Sequence, residues 1–70
     1  MEPGVKKISC LIYSQKGWII LKDKKFVGYI RKMEDGDYKY QYQTHSEYGP
    51  CGYTNSVDSA IEEMVASEYY

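Results

Sequence analysis

One histidine and two cysteines are the residues of this chain best suited to nucleophilic catalysis or metal binding. Cys10, His45 and Cys51 do not form the C-x-x-C or H-x-x-x-H pairs that zinc sites usually show. A Cys–His nucleophile would also need a third group to orient the histidine, and the sequence around His45 offers none. No glycine-rich phosphate loop is present either. We therefore predict that the chain is not an enzyme and holds no metal and no cofactor.

The charged residues are divided unevenly along the chain. Residues 1–33 contain eight Lys or Arg and two acids, whereas residues 34–70 contain one Lys and eight acids. The whole chain is nearly neutral, with a net charge of −1. Halves of opposite sign can attract each other within one fold, or they can present two differently charged surfaces to partners.

The length and composition indicate one small globular domain covering residues 1–70. Hydrophobic residues make up 43% of the chain, and nine of its eleven aromatic residues are tyrosine, which is far from the composition of a disordered segment. A core of this size supplies only about 3–5 kcal/mol of stability. Burial of further surface against a partner would add to that.

The cysteine content and the apolar stretches indicate where the protein resides. Two cysteines are too few for a small secreted disulfide scaffold, and residues 2–4 do not begin an apolar leader. We therefore predict free thiols and a cytoplasmic location. The longest apolar stretches, such as residues 18–21, are far shorter than the roughly 18 residues that span a bilayer, so no membrane partner is predicted.

Short segments rich in β-branched and aromatic residues predict two β-hairpins. The four predicted strands cover residues 6–13, 17–22, 25–33 and 37–44. Residues 14–17 supply the first turn, and Asp35-Gly36 is a dipeptide that tolerates the positive φ angles of a type I′ turn. A short fifth strand has room around Tyr53 and Thr54.

A helix is predicted over residues 56–66. Ser56 is a good N-cap, and Val57, Ile61 and Met64 belong to an apolar stripe with helical spacing that would pack on the sheet. The opposite side of the helix is acidic and consists of Asp58, Glu62, Glu63 and Glu68. The order of elements predicts an α+β fold, in which an antiparallel β-meander of four or five strands carries one C-terminal helix on one face.

The predicted register decides which residues the helix covers. A two-residue turn at Asp35-Gly36 pairs positions whose numbers sum to 71, and Asp23-Lys24 would turn the preceding hairpin. The helix is assigned to the face that carries Trp18, Ile20, Val27, Tyr29, Met33, Tyr38 and Tyr42. One helix covers only one face, so the other face would expose Ile19, Leu21, Phe26, Ile30, Lys32, Lys39, Gln41 and Gln43. An apolar patch with a polar border predicts a partner-binding surface.

Three short sequences between residues 28 and 65 resemble a known DNA-binding pattern. They are Tyr29-Ile30-Arg31-Lys32, the Asp35-Gly36 turn before Tyr38-Lys39-Tyr40, and Gly52-Tyr53-Thr54 before a helix that contains Ala60. The segment resembles the three-stranded-sheet-plus-helix domains of AP2-type transcription factors and of tyrosine recombinases of the integrase type. The resemblance implies that the sheet enters the major groove through Arg31, Lys32, Lys39, Gln41 and Gln43.

These observations lead to one leading hypothesis and two alternatives. The leading hypothesis is a small protein-binding accessory or inhibitory module, of the kind that phages deploy against host machinery. It would act through a sheet face or an edge strand, on a larger protein or on a second copy of itself. The first alternative is a nucleic-acid-binding domain that uses the basic sheet face. The alternation of Tyr38, Tyr40 and Tyr42 would suit a stacking platform for single-stranded bases, but aromatic residues with this period are more often the half-buried core of a small sheet. The second is an acidic surface that mimics DNA.

Overall fold

The computed structural model describes residues 4–34 and 36–67. The elements in chain order are β1 (Val5–Ile12), β2 (Gln15–Lys22), β3 (Lys25–Lys32), β4 (Tyr40–Thr44), β5 (Cys51–Thr54) and α1 (Val57–Ala66). The strands form one open antiparallel sheet in the order β1-β2-β3-β4-β5, and α1 packs mainly across β3, β4 and β5. The predicted α+β meander with a C-terminal helix is confirmed, and β5 is the short fifth strand.

Helix α1 forms where its spacing predicts. The Ser56 side chain accepts a hydrogen bond from the Ser59 backbone N–H at 3.4 Å, which satisfies one of the free donors of the first turn. Ala60, Ile61, Met64 and Val65 are buried against the sheet, and Val57 packs at the edge of this cluster. The apolar stripe read from the sequence is therefore the contact surface of the helix.

The first two hairpins turn through residues with positive φ angles that are not glycine. The φ angles are 51° and 66° at Tyr13 and Ser14, and 51° and 71° at Asp23 and Lys24. Positive φ at both central residues is the geometry of a type I′ turn, whose twist matches that of the flanking strands. The Asp23-Lys24 turn is confirmed, whereas the first turn lies earlier than predicted and β2 already begins at Gln15.

The connection between β3 and β4 is longer than the predicted two-residue turn. Strand pairing ends at Lys32 and Tyr40, and the Met33 backbone N–H donates to the Lys39 carbonyl oxygen at 2.8 Å. Residues 33–39 therefore form the connection. Asp35 itself lies outside the described residues.

The register of β3 and β4 differs by one residue from the predicted register. Ile30 opposes Tyr42, and Arg31 opposes Gln41, so paired numbers sum to 72 instead of 71. Because side chains alternate between the two faces of a strand, a shift of one residue moves every side chain of one strand to the other face relative to its partner.

A β-bulge in β3 makes this register possible. Ile20 pairs with Gly28 and Leu21 pairs with Phe26, which leaves Val27 as an extra residue on β3. Val27 is fully buried in the core. Beyond the bulge the alternation of β3 is reversed, and Ile30 therefore joins the helix side of the sheet.

The core lies between α1 and the side of the sheet that faces it. Its buried members from the sheet are Ile20, Val27, Ile30 and Tyr42. Trp18, Tyr40 and Val5 pack around this cluster and are partly buried. Trp18, Ile20, Val27 and Tyr42 thus lie under or beside the helix, as predicted.

Candidate functional site

The side of the sheet that faces away from α1 is not covered by another element in the part of the chain that the structure describes. Two rows of directly paired residues cross this side from β1 to β5. The first row is Ile8, Ile19, Tyr29, Gln43 and Cys51, and the second is Cys10, Gly17, Arg31, Gln41 and Tyr53. We call this side the open face.

Arg31 lies near the middle of the open face and is held there by side-chain amides. Its Nε and Nη2 donate to Gln41 Oε1 at 3.1 and 2.5 Å, and its Nη1 donates to Gln15 Oε1 at 3.4 Å. The guanidinium carbon lies 5.9 Å from the centroid of the Tyr13 ring. Because these partners are uncharged, they fix the arginine in position and do not neutralise its positive charge.

Tyr29 extends this arrangement along β3. Its hydroxyl donates to Gln43 Oε1 at 3.0 Å. Its ring packs against the Tyr13 ring in a T-shaped arrangement, with centroids 6.4 Å apart and an angle of 73° between the ring planes. Burial raises the pKa of the Tyr29 hydroxyl above its ordinary value, the neighbouring Tyr13 raises it further, and Arg31 acts in the opposite direction. The hydroxyl is therefore a neutral hydrogen-bonding group at physiological pH.

Apolar and aromatic side chains surround this centre and remain accessible. Ile8 on β1 is 47% exposed, and Tyr13 in the first turn is 75% exposed. Tyr38 stacks on the exposed Tyr53 ring, with centroids 6.0 Å apart and an angle of 27°. Exposed tyrosines and isoleucine around one arginine resemble the composition of protein interfaces, which are enriched in aromatic residues and arginine.

The charge asymmetry of the sequence persists in space. The first three strands carry seven Lys or Arg, and none of the five strands contains an acidic residue. The acids Asp58, Glu62 and Glu63 lie on α1, which packs over the other end of the sheet. A meander keeps strands in chain order, so a basic half of the sequence becomes a basic half of the sheet.

The residues predicted to bind a partner are only partly brought together. Ile19, Gln41 and Gln43 share the open face, and the Leu21–Phe26 pair continues it toward the second turn. The prediction that Ile30 is uncovered was wrong, because Ile30 is fully buried under α1. That the remaining residues of this set bind a partner stays a prediction.

One of the two predicted lysines is not on the open face, and the other lies outside the strands. Lys32 pairs with Tyr40, which packs against the core, so Lys32 lies on the helix side of the sheet. Lys39 lies in the connection before β4, where its backbone N–H donates to Asn55 Oδ1 at 2.9 Å. Of the five residues that the DNA-binding resemblance implies, the strands therefore bring Arg31, Gln41 and Gln43 together on one face and place Lys32 on the other.

Three aromatic or sulfur-containing residues were also assigned to the wrong side. Tyr29 lies on the open face, Tyr38 is exposed outside the strands, and Met33 borders a depression together with Gln15 and Arg31. Tyr38, Tyr40 and Tyr42 do not share one exposed face, so they do not form the alternative stacking platform, and Tyr40 and Tyr42 instead pack in or against the core.

Three of the four acidic residues predicted on the outer side of the helix form an exposed surface. Asp58, Glu62 and Glu63 are exposed, and Glu68 lies outside the described residues. Glu63 also accepts a hydrogen bond from the Tyr42 hydroxyl. This contact ties the acidic side of the helix to the centre of the sheet.

Replacing Tyr42 by phenylalanine tests that contact. We expect a loss of about 1 kcal/mol at pH 7, which is below the usual range for hydrogen bonds to charged groups because Glu63 is exposed. Burial and Glu63 raise the pKa of Tyr42 to about 12. The folded protein therefore retains this proton between pH 10 and 12 when the unfolded chain has lost it, and the free energy of unfolding falls as pH rises through that window.

Urea denaturation at pH 7 and over the alkaline window measures both effects. The decline in stability should be shallower in Tyr42→Phe than in the wild type. Tyr53→Phe is the matched control at pH 7, because Tyr53 is exposed and its replacement should leave the free energy of unfolding close to the wild-type value. Equal effects of the two substitutions would contradict the assignment.

Sequence reasoning missed Ile8, Tyr29, Arg31 and Tyr53 as members of the open face. Alternation along β1 contained a signal for Ile8, because Ile8, Cys10 and Ile12 occupy every second position. No comparable signal in the sequence marks the bulge at Val27. This bulge decides on which face of the sheet Tyr29 and Arg31 lie.

Comparisons with known proteins identify no function for this chain, so a functional argument depends on the geometry of the structure. No family model, curated protein or solved structure matches this chain. Among residues 4–34 and 36–67, no three or more His, Cys, Asp or Glu residues are grouped so that they could hold a metal ion. The helix in the described part of the chain is too short to cross a membrane.

Proposed function

We propose that this chain is a small non-enzymatic protein-binding module, of accessory or inhibitory type, that binds another protein through its open face. One observation carries the proposal: the uncovered face presents tyrosines and isoleucines around a fixed arginine, and the strands that build it contain no carboxylate. Rigid aromatic anchors and a planar arginine are the residues that contribute most to binding in protein interfaces.

The charge of Arg31 favours a different protein over a second copy of the chain. In a face-to-face pair of copies, two central arginines would approach each other with no strand carboxylate to neutralise them. Placing like charges together in an interface is costly. A partner with a carboxylate opposite Arg31 and an apolar surface around it would instead form a charge-assisted, bidentate hydrogen bond.

The outer edge of β1 supports the proposal less well than the face does. β1 is eight residues long and carries Lys6 and Lys7 in succession. Lysines on an edge strand oppose pairing with another strand. The open face carries the exposed aromatic groups that the edge lacks.

A pair of substitutions on β1 tests the open face. Ile8 and Leu11 lie on opposite sides of the same strand, with exposures of 47% and 78%. Proteins captured by the wild-type chain from nuclease-treated lysate of its own organism should still be captured by Leu11→Glu. They should be lost from Ile8→Glu, because the new carboxylate would be buried in the interface without a partner.

The two free cysteines provide a second readout. Cys10 and Cys51 belong to the open face at its two outer strands, and Cys51 is exposed. A partner on this face should slow alkylation of Cys51 compared with the free chain. Equal capture by both glutamate variants, or unchanged alkylation of Cys51 in a stable complex, would overturn the proposal.

A further inference from the structure

The helix side of β1 and β2 forms a second surface, separate from the open face. Because α1 packs mainly across β3, β4 and β5, Trp18 on β2 is only partly buried and Leu11 on β1 is exposed. The residues on this surface are Lys7, Leu11, Lys16, Trp18, Lys32 and Tyr40. We call this group the Trp18 patch.

Two lysine ammonium groups flank the Trp18 ring. Lys7 Nζ and Lys16 Nζ lie over the ring, 5.9 and 5.7 Å from its centroid. Lys7 opposes Ile20 and Lys16 opposes Leu11, so the two lysines approach Trp18 from opposite directions along the strand. Contacts between cations and an aromatic ring are weak at exposed sites, which leaves both ammonium groups free to move to an anion.

The aromatic part of the patch contains two rings. The Tyr40 ring meets Trp18 with centroids 5.8 Å apart and an angle of 61°. Lys32 is paired with Tyr40 and extends the row of cations to β3. Because β1, β2 and β3 contain no acidic residue, these lysines face no carboxylate within their own strands.

We propose that the Trp18 patch binds single-stranded nucleic acid, with a base against Trp18 and neighbouring phosphates on Lys7 and Lys16. Lysines beside aromatic rings provide the two interactions that single-strand binding surfaces combine, because phosphates need cations and every base has a face that can stack. An acidic peptide would use the lysines but would gain little from the rings. The patch therefore suits a polyanion that also carries aromatic bases.

The acidic helix favours a single strand over a duplex. α1 lies on the same side of the sheet as the patch and carries Asp58, Glu62 and Glu63. Charges within a Debye length of about 8 Å at physiological salt still interact. A single strand that follows β1 and β2 keeps its phosphates away from α1. The second strand of a duplex would place further phosphates closer to the acids of α1, which repel them.

Trp18 is itself the reporter for the test, because it is the only tryptophan of the chain. An oligothymidylate of about 12 nucleotides, within the size range of single-strand sites, is titrated into the protein while tryptophan emission is recorded. We expect saturable quenching at low salt. The logarithm of affinity should fall linearly with the logarithm of salt, by about 0.7 for each phosphate contacted.

Lys6 and Lys7 provide a matched pair of variants with the same change in net charge. Lys6 lies on β1 next to Lys7 but on the other face of the strand, where it borders a depression with Leu21. Lys7→Gln and Lys16→Gln should each lower affinity about fivefold at about 0.1 M salt and reduce the salt slope by about 0.7. Lys6→Gln should leave both quantities close to the wild-type values.

Four outcomes would overturn the inference. They are no quenching by the oligothymidylate at low salt, an equal loss of affinity in Lys6→Gln and Lys7→Gln, tighter binding of the matching duplex, and tighter binding of polyglutamate. The last outcome would assign the patch to an acidic protein instead. Ile8→Glu should bind the oligothymidylate like the wild type, so failure here is distinguishable from failure of the open face.

Discussion

Replacing Gly28 by alanine should lower the free energy of unfolding by about 3 kcal/mol, at the upper end of the usual cost of overpacking. A Cβ atom at Gly28 would collide with the Gln43 carbonyl oxygen and would lie 2.7 Å from Met64 Cε and 2.8 Å from Thr44 Cα. Met64 Cε is the end of a flexible side chain, but the other two atoms belong to the backbone of β4. Relief of the collision therefore requires the β3–β4 pairing to open.

An effect of this size approaches the whole stability of a domain of this length, about 3–5 kcal/mol. Urea denaturation followed by circular dichroism would measure it, and much of the variant should be unfolded without denaturant. Gly52→Ala is the control, because the three atoms nearest to its Cβ all belong to the Tyr42 side chain, the closest being the hydroxyl oxygen at 3.2 Å. We expect a change within about 1 kcal/mol there. Similar behaviour of the two variants would contradict the close approach of β3 and β4 at Gly28.

Replacing Ile30 by alanine should cost about 3 kcal/mol, within the range for deleting a buried isoleucine side chain. Ile30 is fully buried beneath α1 and opposes Tyr42 on β4. The substitution removes apolar surface from the core and leaves a cavity that the surrounding backbone fills only in part. Thermal or urea denaturation measures the loss.

The same substitution distinguishes the two possible registers of β3 and β4. Ile8→Ala is the control, because Ile8 is the same residue type on the exposed open face and should change stability by less than about 1 kcal/mol. In the register that sums to 71, Ile30 would lie on the uncovered face, and its replacement would cost no more than that of Ile8. A result of that kind would reject the bulge at Val27.

The helix and the second turn could be predicted because their signals are local. The Ser56 cap and the apolar stripe ending at Val65 are complete within one segment, and α1 forms there with the expected side buried. The Asp23-Lys24 turn also lies between two segments whose strand character is clear. In these places the local preference and the tertiary packing agree.

The register of β3 and β4 could not be predicted, because the local and the tertiary preferences disagree. Asp35-Gly36 favours a two-residue turn, yet the pairing ends at Lys32 and Tyr40. Burial of one isoleucine side chain is worth about 1.5–3 kcal/mol. The extra residue at Val27 keeps Val27 beneath α1 and brings Ile30 there as well, and we attribute the observed register to the burial of Ile30, which outweighs the preferred turn.

The sequence by itself predicted that the helix leaves one face of the sheet uncovered, because one short helix cannot cover both sides of a meander. It also determined the charge asymmetry, which chain order preserves in the sheet. Only the tertiary structure decided that Tyr29 and Arg31 belong to the open face and that Ile30 belongs to the core. The physical reason is the two-residue period of a strand: one bulge reverses every later side chain, and contacts distant in sequence select where that bulge forms.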